Sequence, residues 1–157
     1  MMGKFHHALR MSLVMLSLPC LAMTARAQMQ APKSGAEWAQ AQTTFALQTG
    51  DKVWFNKDEA FLNSGAFAAL EKQAAWLKAN PAISVVIEGH ADKAETNPDK
   101  RQLGEIRALA AAAYLQHLGI GVERLNTGTF GADRPLQLCE EETCVKDNRR
   151  VQTTIAR

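Results

Sequence analysis

Histidine and cysteine are scarce in this 157-residue chain, at four and three copies. That scarcity leaves few candidates for a histidine general base or a cysteine nucleophile. Two of the histidines, His6 and His7, and one cysteine, Cys20, fall in an N-terminal stretch with the order of a secretory signal. Lys4 and Arg10 are its basic part, residues 11–23 its apolar part, and Ala25-Arg26-Ala27 a small-x-small cleavage site before Gln28. The apolar part is too short to span a bilayer, and no later run is longer. The chain beyond Ala27 keeps His90 and His117 alone. It has no Gly-x-Ser-x-Gly and no His-Glu-x-x-His. Neither remaining cysteine lies beside a base. A binding module fits this inventory better than an enzyme, with no catalytic residues, cofactor or metal implied.

An excess of charge is also lacking. The full chain carries 18 basic and 16 acidic residues. Lys4, Arg10 and Arg26 leave with the signal and no acid does, so the mature chain has 15 basic against 16 acidic residues, net −1. Nucleic-acid binding thereby loses its electrostatic basis. Lipidation at Cys20 would need a small residue before it, where Pro19 stands, so membrane association is expected only if Cys20 is lipidated. Cys139 and Cys144 remain, in a polar loop. In an exported protein the pair reads as a disulfide. A zinc site is the rival, with an acidic filling and few further ligands.

The pattern divides the chain into a signal (1–27), a linker or N-terminal tail (28–42) and one domain (43–157). Residues 36–41 suit a brief helix. The β-prone runs 43–47 and 52–55 flank Gly50-Asp51 and suggest a hairpin. Asn63 or Ser64 caps a helix to about Ala79, with Phe67, Leu70, Ala74 and Leu77 as its buried stripe. Asn80-Pro81 ends it. The β-branched run 83–87 suits a strand covered on both faces. A second helix spans about Asp99 to Leu118, with Leu103, Ile106, Ala110 and Tyr114 inward and Gly119 as its stop. Two more strands are expected at 125–130 and 151–155, joined by a loop over 131–147. The order is β-(β)-α-β-α-β-β, an α+β sandwich with two main helices on one face of a mixed sheet.

Three short stretches carry polar residues to one end of that sheet: Ile87-Glu88-Gly89-His90-Ala91-Asp92, Leu103-Gly104-Glu105-Ile106-Arg107-Ala108 and Asn148-Arg149-Arg150. Arg107 borders the buried stripe near the end of the preceding strand, and so near Asp92. A carboxylate and a guanidinium there can hold an ammonium and a carboxylate. Two alternatives stand beside this: Asp92 and Arg107 pair with each other, or Arg107 snorkels. Arg149 and Arg150 face opposite sides, so at most one reaches a shared site. Two arginines before an edge strand can also merely solubilise it.

These motifs, with Gly50-Asp51-Lys52-Val53-Trp54-Phe55 and Leu77-Lys78-Ala79-Asn80-Pro81, stand in the order of a known family. Over residues 45–155 the chain resembles the OmpA-like peptidoglycan-binding domains, and within them the peptidoglycan-associated lipoproteins. The resemblance implies non-catalytic binding of cell-wall peptide. Asp92 and Arg107 would hold diaminopimelate, Asn148 and Arg149 would build the same groove, and His90 and Phe55 would support it. It also implies the periplasm or outer-membrane surface as location, and peptidoglycan and Tol-type periplasmic proteins as partners. The family usually has Tyr-Asn where Asp99-Lys100 stand here, which alters part of the groove rim.

Overall fold

The computed structural model describes residues 30–156; the signal read over 1–27, Cys20 included, lies outside them. Among the described residues no helix is long and apolar enough to cross a membrane.

The first element corrects the expected hairpin and the expected tail. Residues 36–41 and 43–47 belong to one helix, α1 (Gly35–Thr49). Ser34 and Glu37 form a reciprocal capping box at its start. Ala41, Phe45 and Thr49 recur every four residues on its buried face. That spacing and the cap override the β propensity of Thr43, Thr44 and Phe45. Gly50, at φ +74°, turns the chain out of the helix. The helix then ties to the sheet through Gln42, whose Oε1 accepts the Ile155 amide at 2.7 Å.

β1 (Lys52–Trp54) leads to α2 (Ser64–Ala79), capped by Asn63, whose side chain accepts the Ala66 amide. Leu70, Ala74 and Leu77 are buried as expected. Phe67 is not: it is over one-third exposed and packs edge-on against Tyr114, ring centres 4.7 Å apart. Asn80 ends the helix before Pro81. β2 (Val85–His90), α3 (Lys100–His117) and β3 (Leu125–Gly131) come next, then the short α4 (Glu142–Val145) and β4 (Arg150–Ile155).

The sheet order is β1-β4-β2-β3. β2 runs parallel to β3 and antiparallel to β4, and β4 runs antiparallel to β1. β4 is therefore an interior strand, and Arg149 and Arg150 do not precede an edge. Leu70, Leu77, Ile87, Leu115 and Val151 lie in the core between the helices and the sheet.

α3 is rotated from its expected phase. Leu103 is buried, but Ile106 is about half exposed, and the inward face runs through Gly104, Arg107, Ala108, Ala111 and Leu115. The cause is a close backbone approach to β2. A Cβ on Gly89 would fall 1.8 Å from the Gly104 carbonyl oxygen. This glycine contact draws the neighbouring Arg107 into the interior.

Candidate functional site

Asp92, Arg107, Asn148 and Arg149 all lie at the C-terminal end of β2, and all four are buried. They do not pair as the helical register suggested. Arg107 meets Glu95, not Asp92. Its Nη1 donates to Glu95 Oε2 at 3.0 Å and its Nη2 to Glu95 Oε1. The remaining donors reach the carbonyls of Glu59 (2.8 Å), His90 (3.0 Å) and Asn56 (3.1 Å). All five N–H groups of the guanidinium are thus used within the chain, and both side chains have zero exposure. Phe55 places its ring 5.2 Å from the guanidinium carbon and adds a cation–π contact. Glu95 also accepts the amides of Asp92 (2.7 Å) and Asp58 (3.0 Å). Glu95 and Arg107 together pin the segments after β1 and after β2.

Asp92 pairs instead with Arg149, Oδ2 to Nη2 at 3.3 Å. Arg149 has a second acid, Glu142 of α4, which takes Nη1 and Nη2 at 2.6 Å each. The contrast in length matters. The Glu142 fork has the geometry of a charge-assisted bidentate bond, and the Asp92 contact is longer than one. Asp92 keeps acceptor capacity, since among the described residues its other oxygen receives only the Ala94 amide, at 3.2 Å. The hydrogen bond to Glu142 holds the Arg149 pKa above its ordinary value, and the same bond lowers that of Glu142.

The two partners of this pair line two different cavities. One, of about 500 Å³, is lined by Trp54, Asn56, Lys146, Glu142 and Arg149. The other, of about 280 Å³, is lined by Asp92, Lys93, Asn148 and the loop at Gln137–Cys139. Asn148 shapes the second. Its Oδ1 accepts the amides of Leu136 (2.7 Å) and Gln137 (2.9 Å), and its Nδ2 donates to the Gln137 carbonyl (2.9 Å). Cys139 and Cys144 form a disulfide, Cα atoms 6.3 Å apart, which closes the loop bearing Glu142.

Asp99 and Lys100 serve the local backbone. Asp99 caps α3 by accepting the Gln102 amide, and Lys100 Nζ donates to the carbonyls of Glu95 and Asn97.

His90 offers the site packing and no side-chain hydrogen bond. Its ring stacks on Phe130, centres 5.6 Å apart, and neither nitrogen has a partner among the described residues. Burial first, then the charges of Arg150 and Arg134, lower its pKa to about 4. The unfolded chain therefore takes up a proton near its ordinary value of 6.5 that the folded chain refuses until about 4. Stability falls as pH drops through that window, and the loss levels off below it. Between about pH 7 and pH 4.5 this amounts to on the order of 2 kcal/mol. Urea unfolding at both pH values should show a smaller pH difference for His90→Leu than for the native chain. An equal difference would refute the buried neutral ring.

Sequence reasoning missed Glu95 and Glu142. Glu95 is one of three acids in a polar loop, with Asp92 and Asp99, and Glu142 ends the run Glu140-Glu141-Glu142, which reads as a solvated filling between the cysteines. Neither spacing announces an arginine partner.

Residues 54–149 match the OmpA family. Over 122 residues the chain is 34% identical to the peptidoglycan-associated lipoprotein of Brucella melitensis, covering 78% of this chain and 73% of that protein. Its fold is similar to the crystal structure of the peptidoglycan-associated lipoprotein from Burkholderia pseudomallei, with TM-score 0.64, 27% identity, and coverage of 68% and 90%. The C-terminal domain of Helicobacter pylori MotB has the same fold, with TM-score 0.64 at 17% identity over 68% of this chain and 84% of that domain.

Proposed function

This chain belongs to the OmpA family, and on that premise we propose that it binds peptidoglycan peptide stems non-covalently at the groove between α4 and the ends of β2 and β4. The ligand group is the free amino-acid head of diaminopimelate. Asp92 takes its ammonium, Arg149 its carboxylate, and Asn148 shapes the rim. Arg107 acts from beneath, holding with Glu95 the segments on which Asp92 stands, and Phe55 and His90 pack the floor. The observation that carries this is the Asp92–Arg149 pair, two opposite charges in contact, each lining its own cavity. A zwitterion offers each of them the complementary charge. The relatives' name, peptidoglycan-associated lipoprotein, supports peptidoglycan as the partner. With cleavage after Ala27 the mature chain works in the periplasm, at the wall or the outer membrane, as a tether or organiser of the envelope.

One observation favours a second reading, an envelope adaptor of the Tol-Pal type with weakened wall binding. Arg107, the arginine that the family resemblance assigns to the ligand, has no N–H left to offer.

Co-sedimentation of the mature chain with purified sacculi separates the two. The native chain should pellet, and Arg149→Ala and Asp92→Ala should each lose at least about tenfold in affinity, the scale of a buried charge-assisted contact. Native chain left in the supernatant would favour the adaptor. Soluble muropeptides released during incubation would contradict non-catalytic binding.

A further inference from the structure

Glu142 and Asp92 hold the same guanidinium from very different environments. The Asp92 side chain is 4% exposed and that of Glu142 64% exposed, while Arg149 between them is 3% exposed. Glu142 therefore sits on the solvent side of Arg149, as a lid. It presents a carboxylate in the bidentate geometry that a ligand carboxylate would adopt.

We propose that Glu142 is a built-in competitor for the carboxylate-binding face of Arg149, displaced when a ligand carboxylate enters. This rests on the groove reading above and adds to it a residue that sets affinity. Three features of the site support displacement. Glu142 lines the larger cavity, so a ligand in that space meets it directly. It is the first residue of α4, a single turn, whose movement breaks little structure. Removing it leaves Arg149 with its ion pair to Asp92, so the arginine stays anchored for the incoming carboxylate. The Cys139–Cys144 disulfide closes a loop of sequence separation five around Glu142. A short closed loop keeps a displaced side chain near the site and so keeps its effective concentration high. The same arrangement excludes weakly bound anions, because any occupant must outcompete a carboxylate already held at two bonds.

Titration with a soluble diaminopimelate-containing stem peptide tests this. Trp54 lines the same cavity and is half exposed, so its fluorescence reports occupancy. Glu142→Gln and Glu142→Ala should bind the peptide about three- to tenfold more tightly than the native chain, the range for releasing one partly exposed charge-assisted pair. Cys139→Ser/Cys144→Ser should shift in the same direction, by less. Arg149→Ala in the Glu142→Ala background should remove the gain. Equal affinity of native chain and Glu142 variants would overturn the competitor and leave wall binding standing. Weaker binding by the variants would also overturn it, by making Glu142 part of the ligand's own contacts. No binding by any of them, even at millimolar peptide, would overturn both the competitor and the groove.

Discussion

Glu95→Ala is expected to cost about 3–5 kcal/mol of folding stability, the range for removing one partner of a buried ion pair. Domains of this size are stable by about 5–15 kcal/mol, so the loss takes a large share of the total. The reason lies in what stays behind. Arg107 has zero exposure, and without Glu95 its charge would face three backbone carbonyls and the ring of Phe55. The Asp92 and Asp58 amides would lose their acceptor at the same time. Glu95→Gln, which retains the shape and one acceptor oxygen but no charge, should lose less. The double replacement Glu95→Leu/Arg107→Met should lose less than the sum of the two single changes, because it leaves no uncompensated charge. It should not regain the native value, since the carbonyls of Asn56, Glu59 and His90 lose their donor. Chemical denaturation of the single and double variants measures the coupling. Additive losses would show that the pair is not the unit that holds the two segments together. A binding test on Arg107→Ala therefore needs a stability measurement beside it.

Gly89→Ala is expected to cost at least about 3 kcal/mol, beyond the usual range for an added methyl in a packed core. The new Cβ would lie 1.8 Å from the Gly104 oxygen and 2.5 Å from its carbon, both backbone atoms of α3. β2 cannot yield, because it is hydrogen-bonded to β3 on one side and β4 on the other. The helix must move away, taking Arg107 with it. Gly104→Ala should cost less. The nearest atom its Cβ meets is Thr129 Oγ1 at 2.5 Å, on a side chain that can rotate, though the Gly89 oxygen is close behind at 2.9 Å. Thermal unfolding of the two variants ranks them. A Gly89→Ala domain as stable as the native one would show that α3 and β2 are not locked by this contact.

That contact also explains which parts of the structure are legible in the sequence. α2 is readable from its Asn63 cap, its Pro81 stop and most of its apolar stripe. β2, β3 and β4 are readable from their β-prone runs. α3 is readable as an element but not in phase. Periodicity puts Ile106 and Leu103 on one face, whereas the approach of Gly104 to Gly89 turns the helix toward Arg107. α1 is hidden because Thr43, Thr44 and Phe45 have strand propensities, and the Ser34–Glu37 box that settles the matter lies in a stretch with the composition of a tail. Within the site, the motifs bring Asp92, Arg107, Asn148 and Arg149 to one end of the sheet. The pairing among them is not readable, because it depends on Glu95 and Glu142, acids in loops whose partners are fixed only by the folded backbone.

Recognition of a zwitterionic head at Asp92 and Arg149 has one direct test. Diaminopimelate ends its side chain in an ammonium and a carboxylate on one carbon, whereas a lysine-containing stem peptide ends in an ammonium alone. Calorimetric titration of the native mature chain with the two peptides isolates the carboxylate. The expected result is at least about tenfold tighter binding of the diaminopimelate peptide, one bidentate carboxylate contact to arginine, with that preference lost in Arg149→Ala. Equal affinity for the two peptides, or a preference that survives in Arg149→Ala, would contradict it.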